Sequence, residues 1–209
     1  MKYTLGYDIG SSSVKIALVE SNINKKIAVV TEPQEEMSIR AIQTHWAEQD
    51  PEMWWNHLCK GTQRILSENA VASDQILAIG ISYQMHGLVV LDKDKKVLRD
   101  SIIWCDSRAV TIGEKAADEI GEARFGSHLL NAPGNFTASK LKWVKENEPE
   151  LYSNVAHFML PGDFIAFKLT GEIATTINGL SEGMLWDFKE KKVANWLLDY
   201  YGIETGLPP

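Results

Sequence analysis

The sequence predicts a mixed α/β domain that starts as a β-meander and ends in a helical region. Three observations predict it. Residues 3–9, 14–19 and 27–31 read as short strands, with only Gly10-Ser11-Ser12-Ser13 and Ser21-Asn22-Ile23-Asn24-Lys25 as turn material between them. One strongly signalled helix and one nearly continuous apolar strand follow, over residues 51–69 and 76–83. Beyond Asp106-Ser107-Arg108 the pattern turns helical.

The first strand, Tyr3 to Ile9, carries one acid near its end, Asp8. It breaks at Gly10 into Ser11, Ser12 and Ser13, and Val14 to Val19 resumes as the second strand with Lys15 inside it. An aspartate at a strand end beside a Gly/Ser turn suits a magnesium–phosphate site. The turn offers backbone N–H groups to phosphate oxygens, and the carboxylate can hold the metal or its waters. An ordinary hairpin turn is the competing reading, because Gly and Ser dominate turns. Lys15 reads equally as a phosphate contact or a solvated edge charge.

Residues 33–50 show no period. Asp50-Pro51-Glu52 then supplies an N-cap residue, a proline at the first helical position and an acid in the first turn. Trp54, Trp55, Leu58, Thr62, Ile65 and Leu66 give that helix a core face. The apolar run Ile76 to Tyr83 predicts a strand buried on both faces. Gly87 to Leu91 predicts a further strand, which Asp92-Lys93-Asp94-Lys95 turns into Lys96 to Arg99 as a hairpin. Ser101 to Trp104 is another extended piece. Helices are predicted over Val110 to Ile120, Ser139 to Asn147 and Gly162 to Leu169, with Pro149 and Gly171 as breakers. Met184 to Phe188 reads as a strand, Ala194 to Tyr201 as a short helix, and Leu207-Pro208-Pro209 as a linker or interdomain boundary. This order, with a phosphate-type turn between the first two strands, fits half of an actin-like, ribonuclease-H-like ATPase fold.

Composition bounds the function. Hydrophobic content of 44% and charged content of 23% are those of an ordinary globular protein with an adequate core. The net charge of −7 argues against nucleic acid as a partner, because no basic face is evident to meet a phosphate backbone. Cys59 and Cys105 lie far apart without metal-like spacing. With no signal peptide and no apolar run that could span a membrane, a cytoplasmic protein without a membrane partner is the default expectation. Asn135-Phe136-Thr137 is then a chance sequon.

Six stretches together resemble the N-terminal domain of the FGGY carbohydrate kinases. They are Tyr7-Asp8-Ile9-Gly10-Ser11-Ser12-Ser13-Val14-Lys15, Trp46-Ala47-Glu48-Gln49-Asp50-Pro51 and Gln84-Met85-His86-Gly87. Further along come Ile103-Trp104-Cys105-Asp106-Ser107-Arg108, Phe136-Thr137-Ala138-Ser139-Lys140-Leu141 and Leu160-Pro161-Gly162-Asp163. The resemblance covers essentially the whole chain. Gln84-Met85-His86-Gly87 most resembles the xylulokinases; the Arg-Glu pair of glycerol kinases is absent at Met85-His86. It implies ATP- and Mg²⁺-dependent phosphoryl transfer to a sugar hydroxyl, with a ketopentose such as D-xylulose as acceptor and gluconate or another polyol as the alternative. It also implies a C-terminal nucleotide-binding domain outside this chain; a homodimer stays open. A non-catalytic carbohydrate-binding homologue is the reading from another class.

Residue by residue, the resemblance places Asp8 at Mg²⁺, through water, and at the γ-phosphate. Gly10, Ser11, Ser12, Ser13 and Lys15 fall on the phosphates. Gln84, Met85, His86, Trp104, Asp106 and Asn135 fall on the sugar. Each has a plainer reading: Gln84 as a strand cap, His86 as a satisfied structural residue, Trp104 as core, Asp106 as an ion-pair partner of Arg108, Asn135 as turn chemistry. Arg108 is expected to be structural, His45 and Trp46 to pack and cap, and Asp163 to cap a helix. One departure stands out. The resemblance implies a general base, an aspartate shortly after a Thr-Gly-Glu turn, but Thr176 occupies that place after Thr170-Gly171-Glu172. Threonine has no useful basicity near neutral pH. Either Glu182, the nearest carboxylate, replaces it, or the base lies outside the chain, or a loose transition state needs none.

Overall fold

The computed structural model describes residues 1–204; Leu207-Pro208-Pro209 lie outside them. The first elements are β1 (Tyr3–Ile9), β2 (Val14–Glu20), β3 (Lys25–Glu32), β4 (Glu48–Gln49), α1 (Pro51–Glu68) and β5 (Ile76–Tyr83). Next come β6 (Val89–Leu91), β7 (Ser101–Ile102), α2 (Val110–Ile120), α3 (Glu122–His128), α4 (Thr137–Asn147) and α5 (Pro149–Tyr152). Then follow β8 (His157–Met159), α6 (Pro161–Thr170), α7 (Ile177–Glu182), β9 (Trp186–Asp187), β10 (Lys192–Val193) and α8 (Asn195–Tyr201). The chain divides into two compact units. One comprises residues 1–39 and 49–84, the other residues 40–48 and the chain from 85 onward.

The first unit is a four-stranded sheet in the order β3-β2-β1-β5, antiparallel except for the parallel pair β1 and β5. Alternation along β1 and β2 buries Leu5, Tyr7, Ile9, Val14, Ile16 and Leu18 on one face. Helix α1 starts where the Asp50 side chain accepts from the N–H of Glu52 at 2.9 Å, and it buries Trp54, Leu58 and Ile65. Gly61 lets it approach β2: a Cβ there would lie 2.4 Å from Ile16 Cδ1. By the same alternation Asp8 stands on the face opposite Tyr7 and is exposed. The expectation that the strand of residues 76–83 is buried on both faces fails. β5 has one neighbour, β1, and among the described residues it leaves Leu77 60% and Ile79 41% exposed.

The second unit packs Leu88, Phe125, Leu141, Phe158, Leu197 and Tyr201 into a common core. β6 pairs antiparallel with β8, Val89 opposite Met159. The hairpin turn forms as expected, with the Asp92 N–H on the Lys96 carbonyl at 2.9 Å, but its second arm makes only the bridge Leu91–Val97. The expected strand Met184 to Phe188 shortens to β9, which pairs with β10. Among the described residues no helix is long and apolar enough to cross a membrane.

Candidate active site

In the first unit, Asp8 on β1 lies directly opposite Lys15 on β2, with 3.7 Å between Oδ2 and Nζ and both side chains more than half exposed. The turn between them directs its carbonyls at the protein. The Ser11 carbonyl accepts from Gln49 Nε2 at 2.7 Å, that of Ser12 from the Met37 N–H at 2.8 Å, and that of Ser13 from the Gly10 N–H at 3.0 Å. A Cβ on Gly10 would sit 3.0 Å from the Ser13 oxygen, so the tight turn favours glycine there.

Gln49 is the buried centre beneath this turn. Its Nε2 also donates to Ser38 O at 3.2 Å, while its Oε1 accepts from Trp54 Nε1 at 3.1 Å and Gln84 Nε2 at 3.4 Å. The Gln84 N–H donates to the Ile9 carbonyl at 2.8 Å. Gln84, grouped by resemblance with the sugar residues, therefore sits under the phosphate-type turn. Gln49 had only its place in a resembling stretch to mark it, since its partners lie 38 and 11 residues away.

In the second unit, His86 adopts left-handed backbone geometry, φ 58°. Its N–H donates to Glu182 Oε1 at 2.6 Å, its carbonyl accepts from Lys140 Nζ at 2.6 Å, and its ring meets the Phe136 ring edge-on at 4.1 Å. Nδ1 is buried without a hydrogen-bond partner among the described residues. Burial first, then the Lys140 charge, draws the imidazole pKa down to about 4 against the opposing effect of Glu182, so the ring is neutral near neutral pH. Next to it Met85 is exposed, and Gly87 packs so closely on Pro161 that a Cβ would lie 2.5 Å from Cγ.

Lys140 also donates to the Ile103 carbonyl at 3.0 Å. The following residue, Trp104, is 49% exposed. Asp106, expected at the sugar hydroxyls, has no exposed surface. Its Oδ2 accepts from the Ala47 N–H at 2.6 Å and from Arg108 Nη2 at 2.6 Å, and its Oδ1 from the Arg108 N–H at 2.9 Å. Arg108 donates onward to Glu48 at 2.7 Å and stands over both the Trp46 ring, at 3.8 Å, and the Trp143 ring, at 4.8 Å. Arg99 joins Glu48 and Glu148 to the same network. Asn135 Nδ2 donates to the Asp106 carbonyl, and its Oδ1 is buried without a partner among the described residues.

Thr176 is an N-cap. Its Oγ1 accepts from the Gly179 N–H at 3.0 Å at the start of α7, the short helix that ends at Glu182. Asp163 stands three residues into the start of α6, accepting from the Leu160 N–H at 3.3 Å and from Thr175 Oγ1 at 3.0 Å. Burial raises its pKa to about 6 despite those two hydrogen bonds, and the nearby Glu182 charge adds to the rise. Among the described residues no group of three or more His, Cys, Asp or Glu could hold a metal. Asp8 alone therefore fits only a cation whose remaining ligands are phosphate oxygens and water.

The chain is similar to known proteins. The chain is 34% identical over its whole length to the xylulose kinase of Bacillus subtilis (strain 168), of which it spans 41%. A crystal structure described as a xyloylose kinase from Brucella ovis superposes with a TM-score of 0.88 at 29% identity, covering 99% of this chain and 42% of that one. A gluconate kinase structure from Lactobacillus acidophilus gives 0.88 at 25% identity, covering 100% and 41%. The sequence profile of the FGGY family of carbohydrate kinases, N-terminal domain, matches residues 3–209. The chain belongs to the FGGY family of carbohydrate kinases and carries that family's N-terminal domain.

Proposed function

We propose that these residues form the N-terminal, sugar-binding domain of an ATP-dependent kinase that phosphorylates a ketopentose such as D-xylulose, with a C-terminal nucleotide-binding domain completing it. One observation carries the phosphate side. The loop is fixed from below, the Ser11 carbonyl by Gln49 and the Ser12 carbonyl by the Met37 N–H, with the exposed Asp8 at its edge. A Gly/Ser loop so fixed suits phosphate oxygens, with Lys15 adding positive charge. ATP supplies the phosphoryl group and Mg²⁺ neutralises part of its charge; Asp8 would hold the metal through water.

On the sugar side, neutral His86 can exchange hydrogen bonds with hydroxyls, and the half-exposed Trp104 indole offers an apolar wall to C–H faces. Asn135 is the second polar candidate, through its unpartnered Oδ1. Asp106 serves the sugar by fixing the loop that carries Trp104. Glu182, beside His86, is the candidate general base.

The test is ADP release by the complete protein supplied with MgATP and D-xylulose. Pentulose-dependent release is expected, and Asp8→Asn should lower kcat by roughly two orders of magnitude or more. The 209-residue chain alone is expected to show none. A folded protein inert with every pentulose and sugar acid would overturn the kinase reading in favour of a non-catalytic carbohydrate-binding homologue. The gluconate kinase neighbour supports a second reading, in which D-gluconate is turned over in preference to D-xylulose.

A further inference from the structure

Lys140 is a wholly buried cation with no place in the functions assigned above. A lysine side chain loses favourable hydration when buried and is retained inside only where it is paired or fully hydrogen-bonded. Here its Nζ donates at 2.6 Å to the carbonyl of His86 and at 3.0 Å to that of Ile103. Those carbonyls are 17 residues apart in the chain and belong to two turns. One turn carries Met85 and His86; the other carries Trp104. The Ile103 carbonyl also accepts from the Asp106 N–H at 3.2 Å within its turn, and His86 has the left-handed geometry that needs external support.

Burial pulls the ammonium pKa down to about 8, while the nearby Asp106 opposes the fall, so the cation is retained near neutral pH. A charged donor binds carbonyls more strongly than a neutral one. Lys140 stands one helical turn from Phe136, whose ring packs on His86, and from Thr137, whose Oγ1 holds the Gly87 carbonyl at 3.2 Å. The start of α4 is thus a platform for the His86 turn.

We propose that Lys140 is a positioning residue for the acceptor sugar: its ammonium ties the His86 turn to the Trp104 turn and sets the spacing of the two side chains that meet the sugar. This rests on the kinase reading above. Lys140→Met, of similar length and without donors, takes the donor from the His86 carbonyl and leaves the Ile103 carbonyl with only the Asp106 N–H, at 3.2 Å. In the complete protein it should raise the KM for the pentulose about tenfold or more, with the KM for ATP changed by less than about twofold. Hydrogen exchange at residues 84–88 and 103–107 should speed up together. That readout needs no turnover, so it decides the positioning role even where the wild type proves inert and the kinase reading fails. Unchanged exchange in both segments, or equal rises in both KM values, would overturn the proposal. Lys140→Gln, which keeps one amide donor in the same space, should show a smaller version of both effects. It serves as the test where the methionine variant does not fold, and the same null results there overturn the proposal too.

Discussion

His86 shows how much of a site can rest on backbone hydrogen bonds. Its N–H goes to Glu182 and its carbonyl to Lys140, so a conformation costly for a non-glycine residue is fixed from both sides. Holding the His86 turn is separable from the proposed role of Glu182 as base. Glu182→Gln keeps an oxygen that can accept the His86 N–H and removes the basic carboxylate; Glu182→Ala removes both. If Glu182 is the base, Gln should lower kcat by roughly two orders of magnitude or more while hydrogen exchange at His86 stays slow. Ala should lose both. Wild-type turnover in the Gln variant would confine Glu182 to holding the turn. Asp8, His86 and Trp104 were marked in the sequence as candidates because Asp8 and Trp104 lie at the end of a strand or an extended segment and His86 follows one. Gln49, Phe136 and Lys140 were not, because each acts on a group remote in the chain, and no local period encodes that. Asp106 shows the opposite failure. The resemblance implied a sugar contact, but Ala47 and Arg108 already surround its carboxylate, as the plainer ion-pair reading had it.

Elements with a chemical start signal came out near their predicted bounds. The Asp50-Pro51-Glu52 start predicted a helix over 51–69, and α1 runs Pro51–Glu68 with Asp50 as its cap. Asp50→Ala should therefore lower unfolding free energy by about 1 kcal/mol, read from the denaturation midpoint at unchanged slope. No loss would mean that the cap bond is not made in solution. Short helices are harder to read. α3, α5 and α7 have seven, four and six residues, too few for a period to show. α7 is where this matters, because its cap Thr176 was weighed as a missing base. A threonine accepting from the N–H three residues on is ordinary cap chemistry. The run Ile76 to Tyr83 misled for another reason: an apolar sequence records what a strand can bury, not which neighbours it has among the described residues.

Across the molecule, the meander, the parallel return of β5 and the helical region follow the order read from the chain, so the fold was largely legible. Its response to acid was not. Asp187 is buried where the N–H groups of Lys189 and Glu190, Trp196 Nε1 and His128 Nδ1 all meet its carboxylate. Burial alone would raise its pKa, but these partners outweigh it and hold it at about 2. A carboxylate depressed in the folded state stabilises above its unfolded value and loses that contribution as pH falls through its folded one. The Tm difference between wild type and Asp187→Asn should therefore be full above about pH 4 and shrink toward pH 2. A pH-independent difference would show that the aspartate acts through packing alone.

The network of Asp106, Arg108, Glu48 and Arg99 bears on heat as well as on geometry. Removing charges from water costs less as temperature rises, whereas the gain from apolar burial levels off. A cluster this enclosed, with Arg108 over the rings of both Trp46 and Trp143, should hold comparatively better warm than cold. The turns it anchors, which carry Trp104 and Asn135, should therefore lose less of their support on warming than turns held by apolar burial alone.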